Sequence, residues 1–207
     1  MKAIFLLSTL AFACNLSAAA ETINFDSFPV GSPPPGWQVG YSGKTADPVW
    51  KVEADSSAPS APNVLRQSGR GDYPWCVKTG SSLTDGTVEV KFKPVSGKRA
   101  QAGGVMFRFK GESSYYVARA NANENNVNLY WFDEKGRHGA KEVSTPVSLN
   151  EWHTLRAEFK GKRIVVALDG KTVIDFEDDH ITGAGAVGLW TRFDSNTMFD
   201  DFTFTGS

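Results

Sequence analysis

Cysteine is nearly absent from this chain. The 207 residues contain two, and one of them, Cys14, lies in the opening stretch MKAIFLLSTLAFACNLSAAA. That stretch has a single Lys2, an apolar run from Ala3 to Ala13 and small residues at Ala18, Ala19 and Ala20. It predicts a secretory signal peptide over residues 1–20, cleaved after Ala20. The run is too short for a membrane span, and no second apolar segment reaches spanning length. Lipid anchoring at Cys14 is the lesser alternative, because Leu10, Ala11, Phe12 and Ala13 fit a lipidation site poorly. Cleavage leaves Cys76 alone, so the exported fold is expected to rely on packing rather than on an internal disulfide. Set in Tyr73-Pro74-Trp75-Cys76, that thiol reads as buried rather than nucleophilic.

Other scarcities narrow the chemistry. Only three histidines are present, His138, His153 and His180, with no HxH or HExxH spacing, which speaks against a zinc site. His153, beside Trp152 at a strand start, fits a packed structural role. No GxSxG elbow occurs. No block of basic residues occurs, and the formal net charge is −1, which argues against a nucleic-acid partner. The acids Glu177, Asp178 and Asp179 fall in a loop, without the alternation along a strand that a pair of glucanase carboxylates requires. No helical period is evident after the leader.

What is present is alternation. Thr87 to Pro94 sets Val88, Val90 and Phe92 against Glu89, Lys91 and Lys93. Trp152 to Phe159 alternates likewise, and Asp169-Gly170 between two apolar runs signals a two-residue hairpin. Trp37 to Val39 and Val49 to Val52 read as short strands around a turn, SGKTADP, and Glu134 to Lys141 as a basic loop. Around a dozen short strands without helices predict one all-β domain over residues 21–207, a two-sheet antiparallel jelly-roll sandwich with its two ends paired. The span from Gly103 to Phe132 reads as three of those strands. Parity puts Val105, Phe107 and Phe109 on one side and Met106, Arg108 and Lys110 on the other. It likewise sets Tyr115, Val117, Arg119 and Asn121 against Tyr116, Ala118 and Ala120. Arg108, Arg119 and Asn121 would then share a polar face, either plainly solvated or a place where a polyhydroxylated ligand docks. Six tryptophans include Trp131 and Trp190, which are candidates for sugar platforms or for core. Asp26, Asp200 and Asp201, near the paired ends, could hold a structural calcium ion or stand as ordinary acids. No other cofactor is expected.

One resemblance joins these pieces. GGVMFRF, SYYVARAN, NVNLY, EWHTLR, LDGK, GLWTRFDS and FDDF occur in that order. Over about Trp50 to Phe204 the chain resembles the exported bacterial concanavalin A-like sandwich proteins of the 3-keto-disaccharide hydrolase or laminin-G-like family. The resemblance implies a jelly roll with a concave face, exported to the periplasm or beyond and associated with glycans. It carries recurrent polar positions onto Arg108, Arg119, Asn121, Glu124, Trp190, Thr191 and Asp194; Trp131-Phe132 departs from the polar strand end expected there. The leading expectation is a carbohydrate-recognition domain holding a saccharide through Arg108, Arg119, Asn121, Trp131, Trp190 and Thr191. One alternative is a glycoside hydrolase acting on disaccharides or their keto forms, with Glu124 or Asp194 as acid or base. Another is a cell-envelope module with a protein partner.

Overall fold

The computed structural model describes residues 19–207; the leader expected over residues 1–20, Cys14 included, lies almost wholly outside them. The described residues form fifteen strands and no helix, so no helix there is long and apolar enough to cross a membrane. One sheet runs β13 (Lys171–Glu177), β12 (Arg163–Leu168), β11 (His153–Lys160), β6 (Gly86–Ser96), β15 (Asn196–Gly206), β4 (Asn63–Gln67) and β3 (Trp50–Ala54), and β1 (Glu21–Ile23) also pairs β15. The second runs β10 (Gly136–Ser144), β9 (Asn126–Asp133), β8 (Ser114–Asn121), β7 (Ala102–Gly111), β14 (Ala186–Trp190), β5 (Arg70–Lys78) and β2 (Trp37–Asp47). All pairings are antiparallel, and the chain's two ends meet where Glu21 lies opposite Phe204. The two-sheet sandwich expected from strand spacing is the fold observed.

The core between the sheets follows the alternations. Val88, Val90 and Phe92 of β6 are buried, as are Leu155, Ala157 and Phe159 of β11. They face Val105, Phe107, Tyr116, Leu129 and Leu189 of the second sheet. The hairpin at Asp169-Gly170 forms with both residues at positive φ, 51° and 76°, as a type I′ turn demands. Asp169 also accepts from Thr154 N (2.8 Å) and pairs with His153 Nδ1 (2.8 Å), so this buried histidine is a structural tie.

Three elements differ from expectation. β2 runs on through the stretch read as a turn, with an irregularity between Ser42 and Ala46. β5 and β10 were not legible as strands. β5 carries Pro74 in mid-strand, and β10 was hidden in the basic loop. The third difference is a bulge in β7. Register holds to Phe107, opposite Tyr116, and resumes only at Gly111, opposite Ser114, with Arg108 at φ 50°. An inserted residue of this kind reverses the parity of everything beyond it. Phe109 therefore joins Met106 on the outer face, and Arg108 turns back toward the core side over the Phe159 ring.

Candidate functional site

The second sheet is apolar on both faces. On its outer face Trp75, Val77, Met106, Tyr115, Val117, Tyr130, Phe132 and Trp190 form a second cluster, all buried. No third layer covers this face; curvature does. β5 and β9 stand four strands apart, about 19 Å on a flat sheet at ~4.8 Å per strand. Yet the rings of Tyr73 and Phe132 meet edge to face with centroids 5.1 Å apart. The face is thus deeply concave, and Tyr73 stacks over Trp190 at 5.8 Å. Gly104 of β7, opposite both Arg119 and Trp190, leaves room for this: a Cβ there would come within 3.1 Å of Val117 and 2.9 Å of the Ala118 carbonyl.

At one end of this concavity three arginines converge. Arg119 of β8 is wholly buried. Its Nη2 faces three acceptors, Glu124 Oε2 at 2.8 Å, Asn126 Oδ1 at 2.6 Å and Asn128 Oδ1 at 3.1 Å. Its Nε and Nη1 have no partner among the described residues. One N–H on Nε and two on Nη1 are therefore left without acceptors. Arg137 of β10 lies opposite Phe132, with its guanidinium 4.3 Å from the Tyr130 ring and 5.5 Å from that of Tyr73; its Nη1 is buried and likewise unpartnered. Arg192, just past β14, lies 4.2 Å over Phe193 with its Nε unpartnered. Burial, then the charges of Arg137 and Arg119, push the Arg192 guanidinium below its usual range. Glu124 is the carboxylate that answers them. Burial raises its pKa, but the Arg119 charge and hydrogen bond outweigh that and hold it below the ordinary range. Glu142 stands on the rim, bonded to the Asn128 amide at 2.7 Å.

An unpartnered buried N–H costs about 1–3 kcal/mol, so several in one patch mark a place poised for a ligand bearing oxygen. By contrast, a depression of about 220 Å³ on the other sheet, between Glu89, Arg156 and Glu158, is bordered by an exposed Arg156–Glu158 pair and offers no such donors.

The remaining expected residues are dispersed. Arg108 does not share Arg119's face, a correction that follows from the bulge. Its guanidinium donates to the carbonyls of Gly161 (2.7 Å), Ile181 (3.0 Å) and Thr84 (3.1 Å). Asn121 does share that face, but its Oδ1 accepts from Gln101 N at 2.9 Å. Thr191 is buried, its hydroxyl accepting from Gln67 at 3.1 Å. Trp190 lies in the floor beneath Tyr73 rather than at the surface. Trp131 is on the opposite side of its strand, stacked between His138 (4.0 Å) and His180 (3.9 Å), so imidazoles occupy the faces a sugar would need. Asp194 accepts from the backbone N–H of Lys98 and Arg99 at 2.9 Å and of Ala100 at 3.3 Å; burial raises its pKa, and those bonds bring it below the usual range. It anchors a loop. Cys76 is buried and its thiol pushed far up by burial.

The acids considered for calcium are engaged by protein donors. Asp26 accepts from Asn63 N (2.9 Å), Asp200 from Ser60 N (2.8 Å), and Asp201 pairs with Lys91 (2.7 Å). No group of three or more His, Cys, Asp or Glu is gathered as a metal site among the described residues. The residues that sequence reasoning missed are Tyr73, Arg137 and Arg192. Arg137 was recoverable in principle, since a hairpin at Glu134-Lys135 sets it opposite Phe132.

A family model described as the 3-keto-alpha-glucoside-1,2-lyase-like domain matches residues 31–205. The chain belongs to this family. Among relatives of known identity, the levanase of Bacillus subtilis (strain 168) is 28% identical over 144 residues, 69% of this chain. The aligned region is 21% of the levanase's length, so the chain matches about a fifth of that enzyme. Among solved structures, the carbohydrate-binding module CBM66 of Bacillus subtilis superposes with a TM-score of 0.66 at 24% identity, covering 86% of this chain and 99% of the module. The β-glucanase of Bacillus licheniformis superposes at 0.56 with 14% identity, covering 92% and 99%. At these identities the structural likeness establishes the fold, a concanavalin A-like sandwich, which the family resemblance in the sequence implied.

Proposed function

We propose that this chain is an exported carbohydrate-recognition domain that holds a saccharide at the arginine end of the concave sheet. The observation that carries the reading is Arg119, buried whole, with three N–H groups lacking acceptors beside the Tyr73 and Tyr130 rings. Sugar rings present C–H faces to aromatic rings and oxygens to fixed donors. The similarity to a carbohydrate-binding module and to part of a levanase supports the class of ligand. Of the residues expected from sequence, Arg119 is retained as a contact and Asn121 as its neighbour. Tyr73, Tyr130, Arg137 and Arg192 take the places assigned to Arg108, Trp131, Trp190 and Thr191.

Titration calorimetry against a panel of oligosaccharides tests the reading. We expect binding to at least one member, weakened tenfold or more by Arg137→Ala with the circular dichroism spectrum unchanged. Absence of binding across the panel, or full affinity in Arg137→Ala, overturns it. The family model favours a second reading, cleavage of a keto-glucoside. There Glu124, ionised beside Arg119, would serve as base, and product release abolished by Glu124→Gln is its signature.

A further inference from the structure

The charge of the arginine cluster says more than that a sugar binds. Arg119, Arg137 and Arg192 meet one engaged carboxylate, Glu124, while Glu142 is taken up by Asn128. The unpartnered atoms named there are all donors: Arg119 Nε and Nη1, Arg137 Nη1 and Arg192 Nε. A neutral hydroxyl can accept from such a group, but it must place its own proton, and the amide and carboxylate oxygens nearest Arg119 already receive hydrogen bonds. A carboxylate or sulfate only accepts, and a guanidinium edge meets it with two parallel N–H bonds. It would also neutralise like charges held close together, a cost that a neutral sugar leaves standing.

The basic surface continues from the cluster. Phe193 lies between two guanidinium groups, Arg192 at 4.2 Å on one contact and Arg99 at 3.6 Å on another. Beyond it a groove of about 480 Å³ is lined by Phe193, Arg99, Arg70 and Lys98. The acids that border this groove are spent on backbone N–H groups: Asp72 accepts from Lys44 N at 2.8 Å, and Asp194 from residues 98–100. A chain whose formal net charge is −1 thus presents a basic track at one end of its sandwich.

Resting on the carbohydrate reading above, we infer that the ligand is an acidic saccharide. One carboxylate or sulfate lodges among Arg119, Arg137 and Arg192, and further acidic units run past Phe193 toward Arg99, Arg70 and Lys98.

The experiment compares three probes on the full chain by calorimetry: an oligogalacturonide, its methyl ester, and a sulfated oligosaccharide. The acidic probes are expected to bind at least tenfold more tightly than the ester at 50 mM NaCl, with the preference shrinking at 500 mM as screening sets in. A tighter carboxylate or a tighter sulfate identifies which acid the cluster fits. Arg137→Gln and Arg192→Gln, both at half-buried positions, should each erase most of the preference, while Arg156→Gln on the other sheet should keep it. Equal binding of the ester, or exclusive binding of neutral sugars elsewhere in a panel, overturns the acidic assignment and leaves carbohydrate recognition standing. No binding of any glycan overturns both. An acidic preference that survives in both arginine variants overturns the placement.

Discussion

Asp200 shows how one buried group sets a pH dependence. Its carboxyl is fully buried against Ser60 and next to Asp201, and burial, beyond what the Ser60 and Asp201 N–H groups recover, pushes its pKa up to about 6. In the unfolded chain an aspartate titrates near ~3.9. Between these values the folded state keeps a proton that the unfolded state has released, so this group's contribution to stability falls as pH rises through that window and is level above it. Asp200→Asn removes the titration. Urea denaturation at pH 4 and pH 7 should find wild type losing on the order of 2 kcal/mol relative to the variant over that interval. A difference that stays constant with pH contradicts the assignment. Arg119 is the converse residue, a charge that stays buried because Glu124, Asn126 and Asn128 gather on one nitrogen; the cost of the other two nitrogens is the reason to place a ligand there.

Elements fix which of those charges can act together. The bulge in β7 takes Arg108 away from Arg119's face and gives it three carbonyls to hold, from the chain before β6, the β11–β12 turn and the loop before β14. Arg108→Ala should therefore cost stability, about 3–5 kcal/mol as for other buried charge networks, measured as a drop in the urea midpoint. Saccharide affinity per folded molecule should hold. A loss of affinity with stability intact would return Arg108 to the ligand. The alternations of β6 and β11 and the Asp169-Gly170 hairpin were legible because each has a buried face of period two and a turn with one geometry. Parity also placed Arg119 rightly. It failed at Arg108 because a bulge leaves no mark in residue type, only in a φ of 50°. It failed at β5 and β10 because Pro74 and the charged run Glu134 to Lys141 read as breakers.

The site itself belongs to no stretch of sequence. Tyr73, Arg119, Arg137 and Arg192 come from β5, β8, β10 and the turn after β14, and curvature of the sheet, visible only in Tyr73 reaching Phe132, brings them together. Family resemblance named the fold and the general face, yet the tryptophans it singled out went to the floor and to the far side of the sheet. Because the cluster joins strands across the width of one sheet, a ligand there should brace the whole sandwich. Saturation at a hundred times Kd adds about 2.7 kcal/mol to the folded state. For a domain of roughly 150–250 residues each kcal/mol is worth about 2–4 °C in Tm, so the midpoint should rise by about 5–10 °C. Differential scanning fluorimetry across the acidic and esterified probes reads this directly, and Arg137→Ala should hold the midpoint still at every ligand concentration. A rise of equal size in that variant would mean that the ligand binds elsewhere, and the arginine end of the concave sheet would lose its assignment.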